Sequence, residues 1–151
     1  MLKKLEFLHI DYNKLTTLNM SGNPALKDSG FVAANNHLDT LVLPNIPDFT
    51  VDAEVFYEQN PRTGYDTVEW YLDSSFTRPV RPEDQLPANG QTVYARWVPN
   101  PYTVYYRANG GQGSMEPQSA VYGASFALTP NAFTRTGHTF DHWSTYSNGV
   151  G

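Results

Sequence analysis

The sequence predicts a mainly β protein: a short solenoid-like coil at the N-terminal end, followed by two compact β units of which the second is truncated. Three observations carry that reading. Aromatic residues make up 14% of the 151 residues and Gly and Pro number 11 each, a profile of short strands and turns rather than long helices. Two separate internal periods, of 23 and 73 residues, divide the chain into a front and a back part. Strict alternation of apolar and polar residues marks the half-buried strands.

The front period comes first. Leu8, Ile10, Asn13, Leu15, Leu18 and Met20 recur 23 positions later as Phe31, Ala33, Asn36, Leu38, Leu41 and Leu43. Within the cycle, Leu8-x-Ile10-x-x-Asn13 is echoed by Leu18-x-Met20-x-x-Asn23, each a short strand followed by a turn. Alternate apolar positions of such a strand point to one side and fill an interior. The Asn turns inward, where its amide can bond backbone groups that the bend leaves unpaired. The spacing L-x-x-L-x-L-x-x-N resembles a leucine-rich repeat of the short kind found in bacterial surface proteins. Asn45, Ile46 and Pro47 break the pattern, so residues 1–47 are expected to form the end of the array. Two cycles fall below the three or so such arrays need, so either more cycles precede Met1 or the next domain caps these.

The back period follows. Arg62-Thr63-Gly64 with Trp70 returns as Arg135-Thr136-Gly137 with Trp143, at the same Gly-to-Trp distance. The surrounding segments Pro61 to Phe76, Leu86 to Trp97, Pro101 to Met115 and Phe133 to Thr145 resemble the internalin-type B-repeat. That resemblance implies a β-grasp-like fold, found in tandem between a leucine-rich array and a cell-wall anchor. Residues 48–98 then hold the later strands of one unit and 99–151 the earlier strands of a second, truncated one.

Element by element, Val93, Ala95 and Trp97 alternate with Thr92, Tyr94 and Arg96, a half-buried strand. Pro79, Pro82 and Pro87 make 78–90 a connection with at most one helical turn. Tyr102, Val104 and Tyr106 alternate with Thr103, Tyr105 and Arg107. Asn109-Gly110-Gly111 supplies a turn leading to a strand near Ala120 to Leu128. Thr139 to Trp143 reads as strand. A second unit lacking its closing strand would present an edge prone to self-association, and residues 144–151 are expected to be poorly ordered.

Composition narrows function. A net charge of −5 with no Lys/Arg cluster disfavours nucleic acid and anionic membrane. There are no cysteines, hence no disulfide framework and no thiolate chemistry. No run of 18 apolar residues offers a membrane span, and the first residues lack a signal-peptide core. His138 and His142 flank Asp141, but on a strand they would stand about 13 Å apart, too far to share a metal. Asn109 to Ser114 lacks the Lys of a phosphate loop, and Asp11-Tyr12-Asn13 lacks the Gly and Glu of a calcium loop. The acidic pairs Asp52/Glu54 and Glu83/Asp84 have no neighbouring base. Trp70, Trp97 and Trp143 read as repeat-position core aromatics. No cofactor and no catalytic or metal residue is expected.

The resemblances imply a non-enzymatic, extracellular bacterial cell-surface protein. Its leucine-rich part would bind a protein ligand or a component of a host or neighbouring cell surface, and its B-repeats would act as a spacer. Outward strand positions are the candidate contacts: His9, Asp11, Thr17, Asn19, Asp39 and Val42. Two other readings are an accessory module of a larger secreted enzyme and an association module working by strand exchange.

Overall fold

In the computed structural model, residues 4–27 and 30–148 are described. The chain divides into two compact units, residues 1–100 and 101–151.

In the first unit, β1 (Leu8–His9) pairs in parallel with β3 (Phe31–Val32), and β2 (Thr17–Asn19) with β4 (Thr40–Val42). Leu8 faces Phe31 and Leu18 faces Leu41. The 23-residue sequence period is therefore the register of both ladders. Met20, Phe31, Leu38, Leu41 and Leu43 are buried inside the coil, whereas Leu8, Ile10 and Leu18 are half-buried.

At the bend of the coil the buried Asn36 amide donates to the carbonyls of Ile10 (2.8 Å), Ala33 (3.1 Å) and Ala34 (3.2 Å), while its oxygen accepts from Leu15 N (3.1 Å). Twenty-three residues further on, Gln59 repeats the arrangement. Its amide nitrogen reaches the Ala33 and Phe56 carbonyls and its oxygen accepts from Leu38 N at 3.0 Å. The coil period thus runs past Pro47. Backbone bonds follow it: Ile10 N donates to Val32 O and Ala33 N to Val55 O.

The chain leaves the second cycle as β5 (Asn45–Asp52), inside which the expected boundary between 47 and 48 falls. It then makes one helical turn, α1 (Glu54–Tyr57), in the place a third coil would occupy. The strands β6 (Thr67–Tyr71), β7 (Pro79–Val80), β8 (Gln85–Asn89) and β9 (Thr92–Val98) follow. β9 lies antiparallel to β6 on one side and to β4 on the other, giving a five-stranded sheet in the order β2-β4-β9-β6-β7. Coil and repeat therefore share one sheet. They also share one core, in which Leu41 and Leu43 join Phe56, Trp70 and Val93.

Residues 78–90 are not a plain connection, as their prolines predict, but carry β7 and β8. Among the described residues β8 pairs only with β5, with Thr50 opposite Pro87, so it lies in a two-stranded ladder where a missing N–H is tolerated. The loop before β7 is tied by Asp73, whose carboxylate accepts from Ser75 N, Thr77 N, Thr77 Oγ1 and Arg78 N. Desolvation pushes that carboxyl up, but the summed hydrogen bonds outweigh it and hold Asp73 below the usual carboxylate range.

In the second unit, β10 (Pro101–Val104) pairs antiparallel with β11 (Gln118–Val121). The turn at Ala108–Gly111 forms, with Asn109 and Gly110 at positive φ. The strand expected to run to Leu128 stops at Val121, where the chain turns at Gly123 (φ +75°). Thr139 to Trp143, expected as strand, lies outside every ladder among the described residues. Its counterpart β6 is held between β9 and β7, and a strand exists only through such neighbours. Of residues 144–151, expected to be poorly ordered, 144–148 are described, and Asn109 Nδ2 donates to Ser147 O at 2.8 Å. Residues 149–151 lie outside the described set. No described residue of the second unit is buried.

Candidate functional site

Because residues paired across a sheet share a face, the registers fix what the five-stranded sheet presents outward. Thr17 and Asn19 on β2 align with Thr40 and Val42 on β4, then with Tyr94 and Thr92 on β9; Arg96 lies on the same face beside Glu69 of β6. Thr17 and Asn19 are exposed, Val42 half-buried. The Asn19 side chain is already turned on Ser21, accepting from its N (3.0 Å) and Oγ (2.7 Å).

The six candidate contacts do not form one surface. Thr17, Asn19 and Val42 sit on the five-stranded sheet, while His9 lies on the separate β1–β3 ribbon and Asp11 in the turn beyond it. Asp39 is committed internally. Its Oδ1 accepts from Trp97 Nε1 (3.1 Å) and pairs with Arg62 Nη1 (2.8 Å). Sequence reasoning missed that Thr92, Tyr94, Arg96 and Glu69 extend the outward face. The alternation of Thr92 to Val98 marks the first three as outward; which strand they would join is a long-range fact with no local signal.

The Arg-Thr-Gly turn positions the staple between coil and repeat. Gly64 takes φ +79° and Gly137 φ +75°, left-handed values that favour glycine. In the first copy Arg62 and Tyr65 exchange backbone bonds at 2.8 Å. The Arg62 guanidinium then lies 4.1 Å from the Trp97 ring centroid, bonds the His37 carbonyl and pairs with Asp39. Arg62→Lys keeps the charge but loses the planar fork and the stacking. It is expected to destabilise by about 1–2 kcal/mol, discounted for the half-exposed ion pair. The exposed Arg135 is expected to tolerate the same change within about 0.5 kcal/mol. Urea unfolding of both variants checks the contrast.

The repeat tryptophans differ in the same sense. Trp70 is 0% exposed, edge-on to Phe56 at 5.1 Å, and its Nε1 donates to Tyr57 O at 3.0 Å. Trp143 is only half-buried, against Tyr106 (4.7 Å), Phe140 (5.0 Å) and Phe133 (6.2 Å), with Nε1 donating to Thr129 O at 3.2 Å.

The acidic side chains Glu83 and Asp84 act on Tyr57. Burial first, and then Glu69 and Glu83, push its phenol up, so it stays protonated at neutral pH. His142 Nδ1 meets Asp141 Oδ2 at 2.8 Å. Among the described residues no group of three His, Asp or Glu side chains is placed to hold a metal, and no helix is long and apolar enough to cross a membrane.

Comparison with known proteins places these features. The Listeria-Bacteroides repeat domain matches residues 48–96 and again 102–151. A candidate Gly-rich membrane protein of Evansella cellulosilytica is 30% identical over 93 residues, 60% of this chain but 10% of that protein. A candidate membrane protein of the same organism is 27% identical over 93 residues, covering 14% of its length. The chain thus spans a small part of the curated relatives it matches. No solved structure matches it significantly. With two matches covering more than half of its length, this mainly β protein belongs to the Listeria-Bacteroides repeat domain family.

Proposed function

We propose that the chain is a non-catalytic segment of an extracellular bacterial surface protein. In this reading residues 1–47 are the end of a leucine-rich coil that contacts a protein ligand, and the two β-grasp-like repeats carry it away from the envelope as a spacer. The observation that carries it is the shared sheet, β2-β4-β9-β6-β7, which joins a coil strand to a repeat strand with no linker. A coil so fixed transmits its orientation to the repeat that bears it. The relatives' names as membrane proteins and their much greater length support an excerpt of a long envelope protein. The contact face in this reading is the outward surface around Thr17, Asn19, Val42, Thr92 and Tyr94, whereas His9 on the β1–β3 ribbon and Asp11 just after it form a second, separate patch.

Brief trypsin treatment of intact cells producing the parent protein tests the location. Release of peptides from residues 4–100 while a cytoplasmic marker stays intact supports it. Peptides that appear only after lysis overturn it.

A further inference from the structure

Asn19 is held differently from most asparagines of the chain. Asn13, Asn36, Asn60, Asn100, Asn109 and Asn131 each spend the amide nitrogen as a donor to a carbonyl or carboxylate oxygen. At Asn19 it is the oxygen that is engaged: Oδ1 accepts from Ser21 N at 3.0 Å and from Ser21 Oγ at 2.7 Å, and among the described residues Nδ2 has no partner. Strand parity turns Asn19 outward. It and Ser21 are exposed, while Met20 between them is 2% exposed in the coil interior. An outward position on a solenoid strand stays at the surface whatever stacks on either side of that strand, so the exposure belongs to the coil itself. Asn19-Met20-Ser21 is also an acceptor sequence for N-linked sugar, and no other asparagine in the sequence is followed at the second position by Ser or Thr.

We propose that Asn19 is a glycosylation site, whose Nδ2 receives a sugar from a phosphate-activated donor. In the transfer the bond from Nδ2 to the sugar C1 forms as the bond from C1 to the donor's phosphate oxygen breaks. The phosphate leaves with that electron pair, and one Nδ2 proton passes to a base of the transferase. An amide nitrogen is by itself a poor nucleophile, because its lone pair is delocalised into the carbonyl. Two donors on Oδ1 stabilise the negative charge that the carboxamide acquires as the proton leaves, so the Ser21 hydroxyl lowers the cost of the step. A sugar here takes Asn19 itself out of the contact face proposed above and is independent of that reading.

The test isolates the parent protein from the cells that produce it and digests it with trypsin. Cleavage after Lys14 and Lys27 gives the peptide 15–27, in which Asn19 alone stands in the acceptor sequence. Tandem mass spectrometry is expected to find this peptide carrying sugar on Asn19. A single monosaccharide points to a nucleotide-sugar donor and an oligosaccharide to a lipid-linked one, and both support the site. Asn19→Gln and Ser21→Ala are each expected to abolish the modification, and Ser21→Thr to keep it. Both positions are exposed, so the urea midpoints of the three variants are expected to match the parent's, which separates loss of the acceptor from misfolding. An unmodified peptide from the parent, sugar on Thr16, Thr17 or Ser21 instead of Asn19, or undiminished modification in Ser21→Ala overturns the proposal.

Discussion

Replacing Trp70 by alanine is expected to destabilise the first unit by roughly 3–5 kcal/mol. That is a large part of the stability of a unit of this size, typically about 5–15 kcal/mol. Trp70 is fully enclosed, its ring meets Phe56 edge-on at 5.1 Å, and it stands opposite Ala95 in the β6–β9 ladder. Truncation opens a cavity between α1 and the sheet that the small Ala95 cannot fill. It also leaves the Tyr57 carbonyl without the indole donor. Trp70→Phe separates the two losses. It keeps most of the ring and is expected to cost about 1–2 kcal/mol, mostly the missing hydrogen bond and residual void. Urea denaturation followed by circular dichroism reads both. A midpoint for Trp70→Ala within error of the parent would mean that the tryptophan is not the keystone its burial indicates.

The second large effect falls on a polar side chain. Asn36→Ala is expected to cost about 3 kcal/mol, because the buried amide serves three carbonyls and one backbone N–H at once. Truncation leaves groups that water reaches poorly at the bend of the coil. Asn13 occupies the same place one cycle earlier. It is exposed and donates to the Ile10 and Asp11 carbonyls, both at 3.0 Å, so Asn13→Ala is expected to cost only about 0.5 kcal/mol. Asn36→Asp is the sharper probe. It preserves shape and can still accept from Leu15 N, but it sets a carboxylate against three carbonyl oxygens, so it is expected to be no better tolerated than alanine. Denaturant midpoints of the three variants side by side decide the matter. Equal costs at positions 13 and 36 would show that burial is not what gives the amide its weight.

How far the fold was legible follows from which interactions are local. The parity of a strand is written in neighbouring residues, so the alternation from Thr92 to Val98 and the inward positions Met20, Leu41 and Leu43 could be read directly. A repeat period is also a register when the repeats stack, which is why the 23-residue spacing foretells the Leu18–Leu41 pair. Other features have no local signature. Pro87 disguises β8, because a proline reads as a break until one knows that the strand pairs on one side only. Gln59 continues the amide series without being an asparagine, and the apolar pattern around it has already given way to α1. Thr139 to Trp143 shows the converse: it keeps the tryptophan of β6 at the same distance from the Arg-Thr-Gly turn, yet a strand needs neighbours that the sequence of the segment cannot supply. Of the candidate contacts, Thr17, Asn19 and Val42 share a sheet face as strand parity predicts. Asp39, expected among the outward contacts, has the opposite parity to Thr40 and Val42 and is drawn into the staple by Arg62 and Trp97, partners far along the chain.

The sheet that passes from coil to repeat also sets the order in which this protein can be made. β4 leaves the ribosome well before β9, and until β9 arrives the inner cycle of the coil has a neighbour on one side only. Because coil and repeat share one sheet and one core, the first unit is expected to unfold in a single cooperative transition, with one urea midpoint for both parts. For the same reason the coil is a poor candidate for grafting onto another scaffold by itself. Its natural unit of transfer ends after β9, not where the leucine pattern stops.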